Sequence, residues 1–214
     1  MISLRHGWVV GLLGILSADT TSASPRVFPP NCTTPAHISL VGSHAGAPDS
    51  AGSFTVVVRD IANIPTNGAS VVLDLSGCTD LALCSDQLDP AASVSCAGKT
   101  TRKFTAITGS VSFTVLGGSN GSGNATTLLA GARIYANGIS IGSPTVSALD
   151  LDGSLGVGIN DLSVWLSDYG TPDNPPFGRS DFDGSGGIGI NDLSVWLTAY
   201  GAGGSLQSCT TACP

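Results

Sequence analysis

The residues here that could do chemistry are carboxylates set at regular spacing. Residues 150–170 read DLDGSLGVGINDLSVWLSDYG and residues 181–201 read DFDGSGGIGINDLSVWLTAYG. The two segments agree at 16 of 21 positions, at an offset of 31. Each places Asp at positions 1, 3 and 12 of a loop: Asp150, Asp152 and Asp161 in loop one, and Asp181, Asp183 and Asp192 in loop two. A 12-residue loop with acids at these positions wraps oxygen donors around a hard divalent cation, and Ca²⁺ fits best. The chain contains no Glu at all, which removes Glu-based acid–base schemes.

The charge pattern points the same way. Net charge is -7, and residues 150–200 hold eight Asp against a single Arg, Arg179. The rest of the chain beyond the N-terminal segment balances six Asp with six Lys or Arg. Six loop carboxylates with no cation between them would repel one another. The lack of a basic stripe argues against nucleic acid as a partner.

An amphipathic helix is predicted after each loop. Leu162, Trp165, Leu166 and Tyr169 fall at i, i+3, i+4 and i+7, and Leu193, Trp196, Leu197 and Tyr200 repeat the pattern. The tryptophans are expected to pack in a core rather than meet a ligand. Gly170 and Gly201 suit the left-handed position that ends a helix, and Pro172, Pro175 and Pro176 bar continuation after the first.

The signature D-x-D-G-S-x-G-[VI]-G-I-N-D-L, with Asp rather than Glu at position 12, resembles the type I dockerins. These are modules of two F-hand calcium loops that plug secreted proteins into cohesin partners. The resemblance covers about a quarter of the chain, residues 149–203. It implies two Ca²⁺ sites. Loop one would use Asp150, Asp152, Ser154, Asp161 and the carbonyl of Gly156, and loop two would use Asp181, Asp183, Ser185, Asp192 and the carbonyl of Gly187. Val157 and Ile188, at position 8, would be where the paired loops meet. The cohesin-facing positions would be Ile159, Asn160 and Leu166, repeated as Ile190, Asn191 and Leu197. These are more apolar than in the family, so a standard clostridial cohesin is not the expected partner. Ser at position 5 leaves three carboxylates per site and implies weak, extracellular-type affinity, about 10⁻⁴–10⁻³ M. Position 6 turns sharply. Loop two has Gly186 there and loop one has Leu155, so loop one is expected to be the weaker site.

Upstream, residues 36–148 read as all-β. Phe54 to Val58, Ala69 to Leu75, Ser110 to Leu116, Leu128 to Tyr135 and Ile139 to Ile141 are strand-like, and Asn137-Gly138 is a hairpin signal. The order of FTVVVRD, PTNGASVVLD and TGSVSFTV resembles bacterial immunoglobulin-like domains of the invasin type. The expected fold is therefore an all-β immunoglobulin-like sandwich followed by a small all-α paired F-hand module. The expected boundaries are a signal peptide at 1–23, a Pro-rich linker or lead-in strand at 24–35, the sandwich at 36–148, the calcium module at 149–203 and a tail at 204–214.

The N-terminus, with Arg5, His6 and an apolar run from Trp8 to Leu16, reads as a secretory signal too short to span a bilayer. The six cysteines, Cys32, Cys78, Cys84, Cys96, Cys209 and Cys213, suggest disulfides of open connectivity in an exported protein. Gly117 to Gly121 matches G-x-S-x-G lexically but lies in a Gly/Ser turn, so it is not read as a nucleophile. The functional expectation is a secreted or cell-surface, non-catalytic protein. Its calcium-dependent module would attach it to a cohesin-like partner or surface scaffold. The alternative is a calcium-rigidified structural or adhesin-type subunit of an extracellular assembly without a cohesin partner.

Overall fold

The computed structural model describes residues 26–120, 131–170, 177–203, 206–207 and 211–213. The N-terminal segment expected to be a signal, most of the tail, Cys209 and the three prolines after Gly170 lie outside the described residues.

The strands in chain order are β1 His37–Leu40, β2 Ser43–His44, β3 Ala47–Pro48, β4 Ser53–Val57, β5 Ser70–Asp74, β6 Leu81–Leu83, β7 Ser93–Ser95, β8 Thr100–Phe104, β9 Ser110–Thr114, β10 Gly117–Ser119, β11 Arg133–Ala136, β12 Ile139–Gly142, β13 Thr145–Ala148, β14 Gly156–Val157 and β15 Leu206–Gln207. The helices are α1 Ile159–Asp168 and α2 Ile190–Gly203. Several strands fall where the apolar patterns put them. In β9, Val111 and Phe113 are buried, and so is Val115 just beyond it, while Ser112 points out. The β11–β12 hairpin turns on Asn137 and Gly138, both at positive φ, as the turn type requires.

The sheets are small. One has five strands in the order β12-β11-β5-β8-β7, another four in the order β14-β15-β2-β3, and three are two-stranded pairs: β4-β9, β6-β10 and the parallel β1-β13. The segment at 26–35 is no free linker, because Thr33 and Val57 exchange both backbone hydrogen bonds. A main core gathers Leu40, Val56, Val71, Leu73, Phe113, Ile134 and Val146, among others.

The expected two-module fold is not what forms. Among the described residues the regular structure is mainly β-strand, in small sheets, with two short α-helices, and the immunoglobulin-like arrangement is not established. Nor is the C-terminal part a separate all-α module. Its apolar residues Trp165, Trp196, Phe182, Ile188 and Val157 share one core with Val41, Cys84, Leu116 and Leu149 of the β body. The physical reason is surface area. A segment of some fifty residues buries little apolar surface alone and is marginal by itself, and the β body offers apolar side chains that enlarge the core. Val157 pairs along the backbone with Leu206 of β15, the Ile188 carbonyl accepts from Gly170 N–H (3.2 Å), and the Val157 and Ile188 side chains are both buried in the shared core. Gly170 is left-handed and ends α1 as expected, but Gly201 lies inside α2.

Cys96 and Cys213 form a disulfide, and Cys84 is also disulfide-bonded. Residues 211–213 pair along β6, with Cys213 N–H on the Leu83 carbonyl (2.7 Å). Cys32 and Cys78 are free thiols.

Candidate metal centre

Each loop brings its three carboxylates together. Asp150, Asp152 and Asp161 each offer an oxygen within 4.8 Å of the others, and so do Asp181, Asp183 and Asp192. The position-12 acids organise the loops. Asp161 is fully buried and accepts from the backbone N–H of Leu151 (2.6 Å), Asp152 (3.0 Å) and Gly158 (2.6 Å). Asp192 makes the same three bonds, to Phe182 (2.7 Å), Asp183 (3.1 Å) and Gly189 (2.8 Å). The last bond of each set closes the N-terminus of the following helix, where a negative charge is favoured.

The exposed serines at position 5 sit beside the position-7 carbonyls. Ser154 Oγ lies 3.2 Å from the Gly156 carbonyl oxygen and Ser185 Oγ 3.4 Å from that of Gly187. The oxygen atoms named from sequence therefore cluster loop by loop. All are hard oxygen donors, as Ca²⁺ prefers. When bound, the ion would neutralise the carboxylates of each loop. Asp150, Asp152, Ser154, Asp161 and the Gly156 carbonyl would hold one ion. Asp181, Asp183, Ser185, Asp192 and the Gly187 carbonyl would hold the other.

The electrostatics carry the cost of crowding. Burial pushes the Asp181 carboxyl up to about 6, with the Asp192 charge adding to the rise. Burial also raises Asp161, against the pull of its backbone donors. Asp152 and Asp183 sit lower than usual: their partial burial is outweighed by hydrogen bonds from Ser154 and Ser185. A cation would offset both burial and repulsion and displace protons from the raised groups.

Leu155 at position 6 adopts φ +66°, matching Gly186 at +89°, so loop one holds a left-handed Leu rather than relaxing around it. Arg179, the lone cation of the segment, is not free to neutralise the loops. It makes a bidentate pair with buried Asp168 (Nε to Oδ2 2.8 Å, Nη2 to Oδ1 3.0 Å), and Ser180 Oγ donates to the same carboxylate (2.7 Å). This cluster ties the end of α1 to the entry of loop two. Only the pairing of Asp168 with Arg179 across eleven residues hints at it in the sequence.

The residues read as partner-facing are on the surface. Ile159 is 63%, Leu166 59%, Ile190 64% and Leu197 48% exposed, and Asn160 and Asn191 are exposed too. Trp165 and Trp196 are buried at the core; the Trp196 ring stacks on Tyr200 and the Trp165 ring lies tilted against Tyr169.

No family model, curated protein or solved structure matches this chain.

Proposed function

We propose that this is an exported, non-catalytic protein that binds two Ca²⁺ ions in its twin loops and attaches to a protein partner through the repeated faces beside them. The observation that supports the calcium reading is the convergence of three carboxylates per loop within 4.8 Å, repeated with the same backbone bonds. The attachment reading is supported by four large aliphatic side chains, Ile159, Leu166, Ile190 and Leu197, left in solvent at equivalent repeat positions. A cohesin-like protein or surface scaffold is the partner class that the repeat's dockerin resemblance suggests. Export is supported by the N-terminal pattern and by the Cys96–Cys213 disulfide. The second reading, a calcium-rigidified subunit of an extracellular assembly, draws support from the shared core, which makes the loops part of one body.

Calorimetry of the full chain tests the metal. With a Kd of about 10⁻⁴ M, 10 mM Ca²⁺ adds about 2.7 kcal/mol per site. Two sites then raise Tm by about 10–20 °C for a chain of this size. A transition indifferent to calcium and chelator refutes the metal reading. For attachment, the Ile159→Asp, Ile190→Asp double variant is expected to lose its partner while keeping its calcium response, and each single variant to retain partial binding. Concentration-dependent self-association of the calcium form without another protein favours the assembly reading.

A further inference from the structure

The acids of both loops are only half of each site's construction; the other half lies in the β body. Asp150 is fully buried, and its carbonyl accepts from the Ser119 N–H (2.8 Å). Its carboxylate occupies the space that a side chain on Gly118 would fill: a Cβ there would stand 2.5 Å from Asp150 Oδ2, 2.9 Å from Cγ and 3.0 Å from Cβ. Gly118 and Ser119 belong to β10, which pairs with β6, more than thirty residues upstream of the loop in sequence. The backbone of a strand thus forms one wall around the first ligand of loop one. The glycine run that mimics a nucleophile motif has this packing role instead.

Loop two is held by a different part of the same body. Ser39 Oγ donates to the Phe182 carbonyl (2.8 Å), inside the loop between Asp181 and Asp183. Ser39 is itself fixed by Ser147 Oγ (2.9 Å), and the His37 ring reaches Ser147 (3.0 Å) and Thr145 (2.7 Å). Gly184, at φ +70°, lies so close to His37 that a Cβ would stand 2.4 Å from the His37 Cβ. These four residues lie on the parallel pair β1-β13, and β13 runs through Leu149 directly into Asp150. One two-stranded element therefore supports loop two on its side chains and leads by its chain into loop one.

We propose that Gly118 with Ser119, and Ser39 with His37, are positioning residues for the two calcium loops, so that Ca²⁺ fastens the C-terminal segment to the β body. This rests on the calcium reading above and extends it to residues outside the repeat. Groups that orient metal ligands from behind typically change affinity 10–100-fold when altered. In Gly118→Ala the added methyl displaces the Asp150 carboxylate, and loop-one affinity falls about tenfold or more. In Ser39→Ala the Phe182 carbonyl loses its donor and loop-two affinity falls, with loop one unchanged.

The experiment is calorimetric Ca²⁺ titration of the full chain, with each loop silenced in turn through its more exposed acid, Asp152→Ala for loop one and Asp183→Ala for loop two. Gly118→Ala is expected to weaken binding on the Asp183→Ala background and to leave it unaltered on the Asp152→Ala background. Ser39→Ala is expected to do the reverse. Amide exchange supplies a second readout: Ca²⁺ slows exchange at Ser119 and Leu149 in the wild type. If Gly118→Ala does not fold by circular dichroism, Ser39→Ala and the wild-type exchange decide. Failure of the wild type to bind Ca²⁺ overturns the calcium reading and this inference with it. Two intact affinities in folded Gly118→Ala and Ser39→Ala, with calcium still bound by the wild type, overturn this inference alone.

Discussion

Gly186→Ala probes the difference at the sharp turn of two loops that differ at only three of their twelve positions. Gly186 sits at φ +89°, and an added Cβ would meet no atom within 4 Å. The substitution therefore introduces backbone strain without a clash. A left-handed L-residue costs about 1–2 kcal/mol. The reduced entropy of the unfolded Ala chain returns roughly 0.4–1 kcal/mol. The net is about 1 kcal/mol, which corresponds to about 2–4 °C in Tm at this length. If the metal-free loop relaxes, the same strain reappears as a loss of roughly fivefold in calcium affinity, since 1.4 kcal/mol is tenfold. Loop two then comes to resemble loop one, where Leu155 already carries the strain at φ +66°. The assay is paired calorimetry, by scanning and by titration, on the Asp152→Ala background so that only loop two reports. Asp152 serves better for silencing than Asp161, because Asp161 also accepts three backbone N–H bonds whose loss would disturb the fold. Equal starting affinities for the two loops, or a Gly186→Ala protein with neither Tm nor affinity changed, would refute the strain argument.

Two further outcomes follow from features outside the loops. Arg179→Met leaves Asp168 buried without its bidentate partner and is expected to cost about 3–5 kcal/mol by denaturant unfolding, whereas removing both charges together is expected to recover much of that; a loss below about 1 kcal/mol for the single change would contradict the buried-pair account. Burial raises the Cys78 thiol to about 11, with the Asp80 charge adding to it, so at pH 8 only about 0.1% is thiolate, and mass spectrometry after iodoacetamide should find half-buried Cys32 modified well before Cys78 in the folded chain.

The repeat was legible because its signals are local. Ligand spacing, the turn at position 6 and the 3.6-residue apolar period depend on neighbours within a dozen residues, and the carboxylate clusters, α1 and the buried tryptophans fall where those signals put them. The alternation in β9 and the Asn137-Gly138 turn were legible for the same reason. The prediction of two independent modules failed because burial is not local. Periodicity says that Trp165 and Trp196 have an apolar face, but not that Val41, Leu116 and Leu149 will cover it. Gly118 read as turn punctuation, since nothing in the run GGSNG announces a carboxylate from thirty residues away. The pairing of Cys96 with Cys213, across 117 residues, was equally silent. The sequence by itself determined which oxygen atoms could gather around a cation. The tertiary structure alone decided what they are built against, because close packing between distant segments depends on shape, and shape exists only once the chain has folded.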